Sequence, residues 1–261
     1  MIDIQSQPDF RKIPIDKVGI KELKYPVKVR DKSKGFQSTV AKISMFVDLP
    51  HQLKGTHMSR FVEMLHVFRQ QVSLESLTNI LEDMKETLGA ESSHIEIAFP
   101  YFISKTAPVS GTSGLMDYSC TIIGFSGREK NRDIVLKVAV PVTSVCPCSK
   151  EISEYGAHNQ RGQVLVSARF KRFIWIEDIV DIVEKSASSE LYSVLKREDE
   201  KYVTESAYNK PMFVEDLVRE VASELIADNN ITWFEVSAEN FESIHNHSAY
   251  AYIEKGEMYK S

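Results

Sequence analysis

Two cysteines separated by one proline, Cys146-Pro147-Cys148, follow an apolar run, and His158 stands ten residues after the second. Thiolate and imidazole are preferred ligands of zinc and similar divalent ions. Cys-X-Cys is not the usual zinc-knuckle spacing of two intervening residues. With Cys120 the third cysteine, no second pair exists to complete a four-cysteine structural site. The pattern favours an open site with three protein ligands over a closed one. The alternative is two small apolar side chains and a histidine that hydrogen-bonds its own loop.

A second constellation is ESIHNHSAYAY, residues 242–252. If strand geometry reaches back to His245, then His245 and His247 share one face, because side chains in a strand alternate with period two. Two imidazoles aimed at one spot suit metal ligation or proton transfer near neutral pH; the alternative is an exposed pair at a strand start. Glu215 sits in the first turn of an expected helix, where an acid favours the macrodipole. It could also accept two N–H bonds from one edge of a guanine.

Candidates for anion binding are Lys54, Gly55, His57, Ser59 and Arg60, just before a helix start, and the loop 104–114, SKTAPVSGTSG, with Lys105, Ser110 and Gly111. Lys150 and Arg161 flank the cysteine loop. Neither segment has Walker A spacing, which excludes a P-loop. Lys171 and Arg172 read as an exposed face, and each basic residue taken alone reads as solvated surface.

The elements that must position these residues follow from periodicity. Residues 1–23 read as a loosely ordered arm with Pro8 and Pro14. Strands fit 25–31 and 38–50. A helix starts at Ser59 as N-cap, with Phe61, Leu65 and Phe68 on one face. A second helix, 74–89, carries the stripe Leu74, Leu77, Leu81, Met84 and Leu88 and stops at Gly89. Strands fit 94–103 and 117–126, then 134–143 and 162–173. Helices fit 176–188, with 188–197 continuing or restarting it, and 211–227, with Pro211 suited to the first turn. Strands 231–240 and 247–254 close the series. Each half thus reads strand–strand–helix–helix–strand–strand. The division is an arm, 1–23, a first module, 24–130, and a second, 131–261, joined by the charged turn 127–132. The class is α+β with antiparallel sheets, whose exposed edges a closed oligomeric barrel would satisfy.

Composition bounds the function. Thirty-two Lys and Arg against 37 Asp and Glu give a net charge of −5 at pH 7. That is not the basic balance of a nucleic-acid binder, so positive charge for an anionic substrate must be gathered locally. No stretch approaches the ~18 apolar residues of a membrane span. The first residues do not read as a signal peptide, and an odd count of three cysteines suits a reducing cytosol.

Taken together, KGTHMSRF (54–61), SGTSGLMDY (110–118), VPVTSVCPCSKEISEYGAHNQRG (140–162), MFVEDLVRE (212–220) and ESIHNHSAYAY (242–252) resemble the prokaryotic type IB GTP cyclohydrolase family. The resemblance implies the tunnelling fold, with two modules per chain, and a cytoplasmic homotetramer. It implies conversion of GTP to 7,8-dihydroneopterin triphosphate and formate, the entry step to folate and, in bacteria that make it, queuosine. One divalent metal per site is implied: zinc, manganese or iron(II). Carried across, Cys146 and His158 are metal ligands, joined by an acid of REDEKYVTE (197–205), with Glu200 preferred over Glu198 and Glu205. Glu215 anchors the guanine, while Cys148, His245 and His247 serve proton transfers. Lys54, Arg60, Lys105, Lys150 and Arg161, helped by Ser110 and Gly111, face the triphosphate, some from a neighbouring subunit. Two other readings compete: a thiol-dependent nitrile reductase of the same fold, with Cys146 or Cys148 as nucleophile, and a metal-stabilised oligomer that only binds purines.

Overall fold

The computed structural model describes residues 5, 7–68, 72–128 and 132–256. Its strands are β1 (Ile15–Asp31), β2 (Gly35–Leu49), β3 (Ser93–Thr106), β4 (Ser113–Ser126), β5 (Arg132–Val145), β6 (Asn159–Phe170), β7 (Ser189–Glu190), β8 (Ile231–Asn240) and β9 (Ala249–Gly256). Its helices are α1 (Met58–Phe68), α2 (Leu74–Leu88), α3 (Pro147–Ile152), α4 (Ile176–Ser186), α5 (Arg197–Asn209) and α6 (Val214–Ala227). This is an α+β chain with antiparallel strand pairing. It divides into two compact units, one reaching to Pro100 and taking in Thr121–Leu136, the other comprising Tyr101–Cys120 and the chain from Lys137.

In the first unit the β1–β2 turn forms because the Asp31 carboxylate accepts bonds from the Ser33 and Lys34 N–H groups, the Ser33 hydroxyl and Gln37 Nε2. Gly35, at φ +79°, supplies the left-handed residue the turn needs. From Thr39 to Leu49 of β2 and from Ser93 to Tyr101 of β3 the odd-numbered residues are buried, and Ile43 pairs with Ile97 and Met45 with Ile95. Phe61 and Leu65 of α1 and Leu77, Leu81 and Met84 of α2 are buried with them. Ser73 caps α2 and Gly89, at φ +63°, ends it, as the apolar stripe and its stop residue foretell. The side chain of Phe68 and residues 129–131 of the expected inter-module turn lie outside the described set.

His94 on β3 lies beside the Phe46 ring. Burial, with a smaller contribution from the charge of Lys17, pushes its imidazole down to about 4. In the unfolded chain His94 takes up a proton near pH 6.5, in the folded chain only near 4. Its contribution is therefore complete above pH 6.5, is lost as pH falls from 6.5 toward 4, and changes no further below. A His94→Gln variant is expected to lose less stability over that interval in urea titrations; parallel pH curves for the two proteins would contradict this.

Within the second unit β6 pairs antiparallel with β8, β8 with β9, and β7 with the end of β5. Its core is Val138, Val140 and Val142 of β5, Val164, Val166 and Ala168 of β6, Val236 and Ala238 of β8, and the apolar faces of α4 and α6. Among the described residues no helix is long and apolar enough to cross a membrane.

Several boundaries differ from expectation. Strand β1 begins at Ile15, inside the expected arm, and α1 begins at Met58 instead of after Ser59. The cysteine loop is a short helix, α3. Segment 188–197 forms β7 rather than more helix, and α5 follows it. Helix α6 starts at Val214, so Pro211 precedes it. Strand β9 starts at Ala249, leaving both 245 and 247 outside it.

Candidate active site

The site is built where β5 ends. Cys146 is the N-cap of α3 and Pro147 its first residue, where a fixed φ and a missing N–H cost nothing. The Cys146 Sγ accepts the Ser149 N–H at 3.5 Å, and its carbonyl accepts the Ser149 hydroxyl and the Lys150 N–H. The chain then doubles back through Gly156 at φ +126°. The His158 carbonyl accepts the Cys146 N–H at 3.1 Å, and the His158 N–H donates to Ser149 Oγ at 3.1 Å. Cys146 and His158 are thus brought side by side by main-chain bonds.

The imidazole of His158 is oriented from behind. Its Nδ1–H donates to Gln160 Oε1 at 2.9 Å, with Ser243 Oγ at 3.3 Å and a Glu242 carboxylate oxygen at 4.0 Å. Gln160 Nε2 in turn donates to Glu242 at 3.3 Å. This fixes the tautomer and leaves Nε2 as the nitrogen available to a ligand. Gln160, Ser243 and Glu242 were not singled out from the sequence. Gln160 carries a signal, since it lies only two residues on from His158, at the start of β6. The other two arrive only because the Phe241 N–H bonds the Arg161 carbonyl at 2.9 Å.

Two further elements converge on this turn. Met212 N–H donates to the Val145 carbonyl at 3.0 Å, which ties the approach to α6 beside Cys146. Glu215 is exposed in the first turn of α6, while the capping bond from the Phe213 N–H goes to its neighbour Asp216 at 3.2 Å. Lys150 donates to the Tyr208 carbonyl at 2.6 Å, its ammonium 4.2 Å from the Tyr208 ring centre, which fastens the end of α5 to α3. Glu200 is exposed in the first turn of α5. Among the described residues no three His, Cys, Asp or Glu side chains are drawn together as a metal cluster. Cys148 is exposed. His245 and His247 do meet, with ring centres 5.0 Å apart and planes 17° from parallel, on a bend between β8 and β9 and not on a strand. Cys120 is buried, and burial raises its thiol far above the reactive range.

Residues 1–251 match the family described as type I GTP cyclohydrolase folE2. This chain belongs to that family. It is 60% identical over 258 residues to GTP cyclohydrolase FolE2 of Desulfosudis oleivorans, covering 99% of both chains. It is also 60% identical over 255 residues to GTP cyclohydrolase FolE2 of Geobacter metallireducens, covering 98% of this chain and 97% of the relative. Among solved structures, uricase from Arthrobacter globiformis shares the fold at a TM-score of 0.53 with 10% identity, covering 92% of both chains. A hyperthermostable mutant of Bacillus sp. TB-90 urate oxidase does so at 0.54 with 8% identity, over 93% of this chain and all of that one. Family membership decides among the three readings of the sequence in favour of the cyclohydrolase.

For a GTP cyclohydrolase, the phosphate candidates now divide. Lys54 and Arg60 are exposed in the first unit, Arg60 donating to the Thr87 carbonyl, and Arg161 is exposed in the second. Lys105 is engaged elsewhere. Its ammonium is buried against Glu184 at 2.8 Å and against Glu190, over the ring of Tyr192. Its charge is matched within the chain, which is a structural role where a phosphate contact was expected. Ser110 is occupied likewise: its N–H and hydroxyl both bind the Asp199 carboxylate. Gly111 follows at φ +70° to turn the loop. Asp199 is fully buried, and burial by itself would raise its pKa. Bonds from the Ser110 hydroxyl and from the N–H groups of Ser110, Lys196 and Val109 outweigh that and hold the carboxyl well below the usual range.

Proposed function

We propose that this GTP cyclohydrolase opens the imidazole ring of GTP at C8, releases formate and forms 7,8-dihydroneopterin triphosphate, the first step toward folate and, where it is made, queuosine. The single observation that carries this reading is the pairing of Cys146 with an oriented His158 beside the start of α6. The donor chemistry fits a catalytic divalent site: a thiolate, an imidazole whose other nitrogen is already bonded, and a carboxylate. Cys146, His158 and Glu200 would hold the ion. Zinc, manganese or iron(II) bound there supplies Lewis acidity and makes water acidic near neutral pH. Glu215 would accept N–H bonds from the guanine edge. Cys148, His245 and His247 would move protons at the purine nitrogens and the ribose. Lys54, Arg60 and Arg161 would face the triphosphate, with Lys150, Ser110 and Gly111 shaping the surrounding loops.

The assembly we infer is a tunnelling-fold homotetramer of bimodular chains in the cytoplasm, with sites between subunits. The likeness to uricase supports the fold. Tyr250 and Tyr252, exposed on the outer strand β9, support edge-to-edge assembly. Three free thiols suit a reducing compartment.

The test is GTP turnover by metal-stripped protein before and after addition of zinc, manganese or anaerobic iron(II), following formate and the fluorescence of the oxidised pterin. Metal-dependent formation of both products, absent from Cys146→Ala, is the expected outcome. Turnover unaffected by stripping, or retained by Cys146→Ala, would overturn the assignment of Cys146 as a ligand.

A further inference from the structure

Outside the proposed site, the first unit carries a strongly basic surface. Between residues 11 and 42 stand ten Lys and Arg against three Asp and Glu, in a chain whose net charge is −5. Strand β1 presents Lys24, Pro26, Lys28 and Arg30 away from the core, while Val27 and Val29 between them are buried. Opposite these on β2 stand Lys42, Val40, Ser38 and Phe36, in that order. A bulge extends the face. Ile20 lies opposite buried Met45 and Leu23 opposite buried Ile43, so both face the core although three residues apart. Glu22, at φ +55°, absorbs the change of phase. Lys17 and Lys21 are thereby brought to the side of Lys24 and Lys28. The charge of Lys17 reaches His94, which lies beside Phe46 on that side.

Like charges directly opposite on neighbouring strands are destabilising, and Lys24 stands opposite Lys42. Among the described residues none of Lys21, Lys24, Lys28 and Lys42 forms an ion pair. The carboxylates on this side are Glu96, also without an ion pair, and Asp48, which accepts the Glu91 and Ser92 N–H groups. Protection of a sheet edge explains lysines on β1, which has a strand on one side only. It does not explain Lys42, because β2 is paired on both sides. The charges form a row, not a pocket. From Lys17 to Lys28 the strand spans about 35 Å at ~3.3 Å per residue, which is longer than any triphosphate and too narrow for a membrane plane. Phe36, exposed near the hairpin turn, and Phe46, near Lys17, add rings on which bases stack. We propose that this face of β1 and β2 is a docking surface for single-stranded nucleic acid, with phosphates along Lys17, Lys21, Lys24, Lys28 and Lys42 and bases on Phe36 and Phe46. It uses no residue of the proposed cyclohydrolase site.

Fluorescence anisotropy of a labelled oligouridine of about 20 nucleotides tests this on the full chain, since the probe has no guanine to enter the GTP site and is long enough to cover the row. We expect binding at ~50 mM salt that weakens about 50-fold at ~200 mM, the dependence of about four phosphate contacts to a single strand. Lys24→Gln combined with Lys28→Gln should lower the affinity at low salt about tenfold or more and flatten the logarithmic salt slope by about 1.4. Phe36→Ala should lower it about fivefold or more and leave the slope unchanged. GTP turnover should stay at the parental rate in both variants, which shows that they fold. No binding by the parent at low salt overturns the proposal, as does binding that the lysine variant leaves unchanged. Inorganic polyphosphate that displaces the probe at equal phosphate concentration, with Phe36→Ala like the parent, would mark a surface for any phosphate chain and overturn the nucleic-acid assignment. A raised KM for GTP in the lysine variant would give the face to the triphosphate of the substrate, and a changed mass in solution would give it to a second copy; either result overturns the proposal.

Discussion

Replacing Lys105 by Met is expected to destabilise the protein by about 3–5 kcal/mol, the usual cost of removing one partner from a buried ion pair. The Lys105 and Glu184 side chains are 8% and 9% exposed. Glu184 also accepts the hydroxyl of Tyr118, a fully enclosed side chain, and Glu190 accepts that of Tyr192. Without the ammonium, Glu184 would keep one neutral donor and a repulsive neighbour, Glu190. Burial already raises the carboxyl of Glu184 despite its bonds to Lys105 and Tyr118, so in the variant it would rise further and take up a proton. The defect should then be full above that raised pKa and shrink as pH falls through it, because the protonated acid carries no buried charge. Urea denaturation at pH 8 and pH 5.5 reads both effects, and Lys105→Met with Glu184→Gln should recover much of the loss. A stability change under about 1 kcal/mol, accompanied by a raised KM for GTP, would instead mean that Lys105 serves the triphosphate.

How much of this was legible in the sequence depended on whether a residue's partner was near in the chain. Helix α2 could be read to within a residue because its stripe and Gly89 lie inside one short segment. The cysteine loop and His158 could be paired because a single turn joins them. Strand β1 was partly hidden: register shifts fall between Ile15 and Val18 and between Ile20 and Leu23, and Glu22 adopts φ +55°. These bulges break the period-two pattern on which strand recognition rests. Helix α5 has no apolar stripe, since its contacts are a buried carboxylate and a lysine from another helix. Glu242 and Ser243 reach His158 through the pairing of β6 with β8, and only the folded sheet makes them neighbours. The ion cluster of Lys105, Glu184 and Glu190 was missed for the same reason, and its lysine was assigned to solvent and substrate.

Glu215→Gln should separate catalysis from stability more cleanly than any other change at this site. Helix α6 takes its capping bond from Asp216, so Glu215 contributes only its charge near the helix N-terminus, worth about 0.3–1 kcal/mol. The melting curve should barely move. Against GTP the change is larger. A carboxylate accepts both the N1–H and the 2-amino N–H of guanine, whereas an amide offers one acceptor and turns a donor toward a donor. Losing one side of a desolvated charged hydrogen-bond pair costs about 2–5 kcal/mol, and at ~1.4 kcal/mol per decade kcat/KM for GTP should fall about 30-fold to a few thousandfold. Inosine triphosphate, which lacks the 2-amino group, supplies the control. The parent should strongly prefer GTP, because a site built to bond a group rejects the analogue lacking it. In Glu215→Gln that preference should collapse, since the second bond is no longer made to either substrate. If the variant loses activity yet keeps the parent's preference for GTP, Glu215 acts on some other part of the reaction and the guanine edge is read elsewhere. If it loses neither, the exposed carboxylate is only a helix-terminal charge.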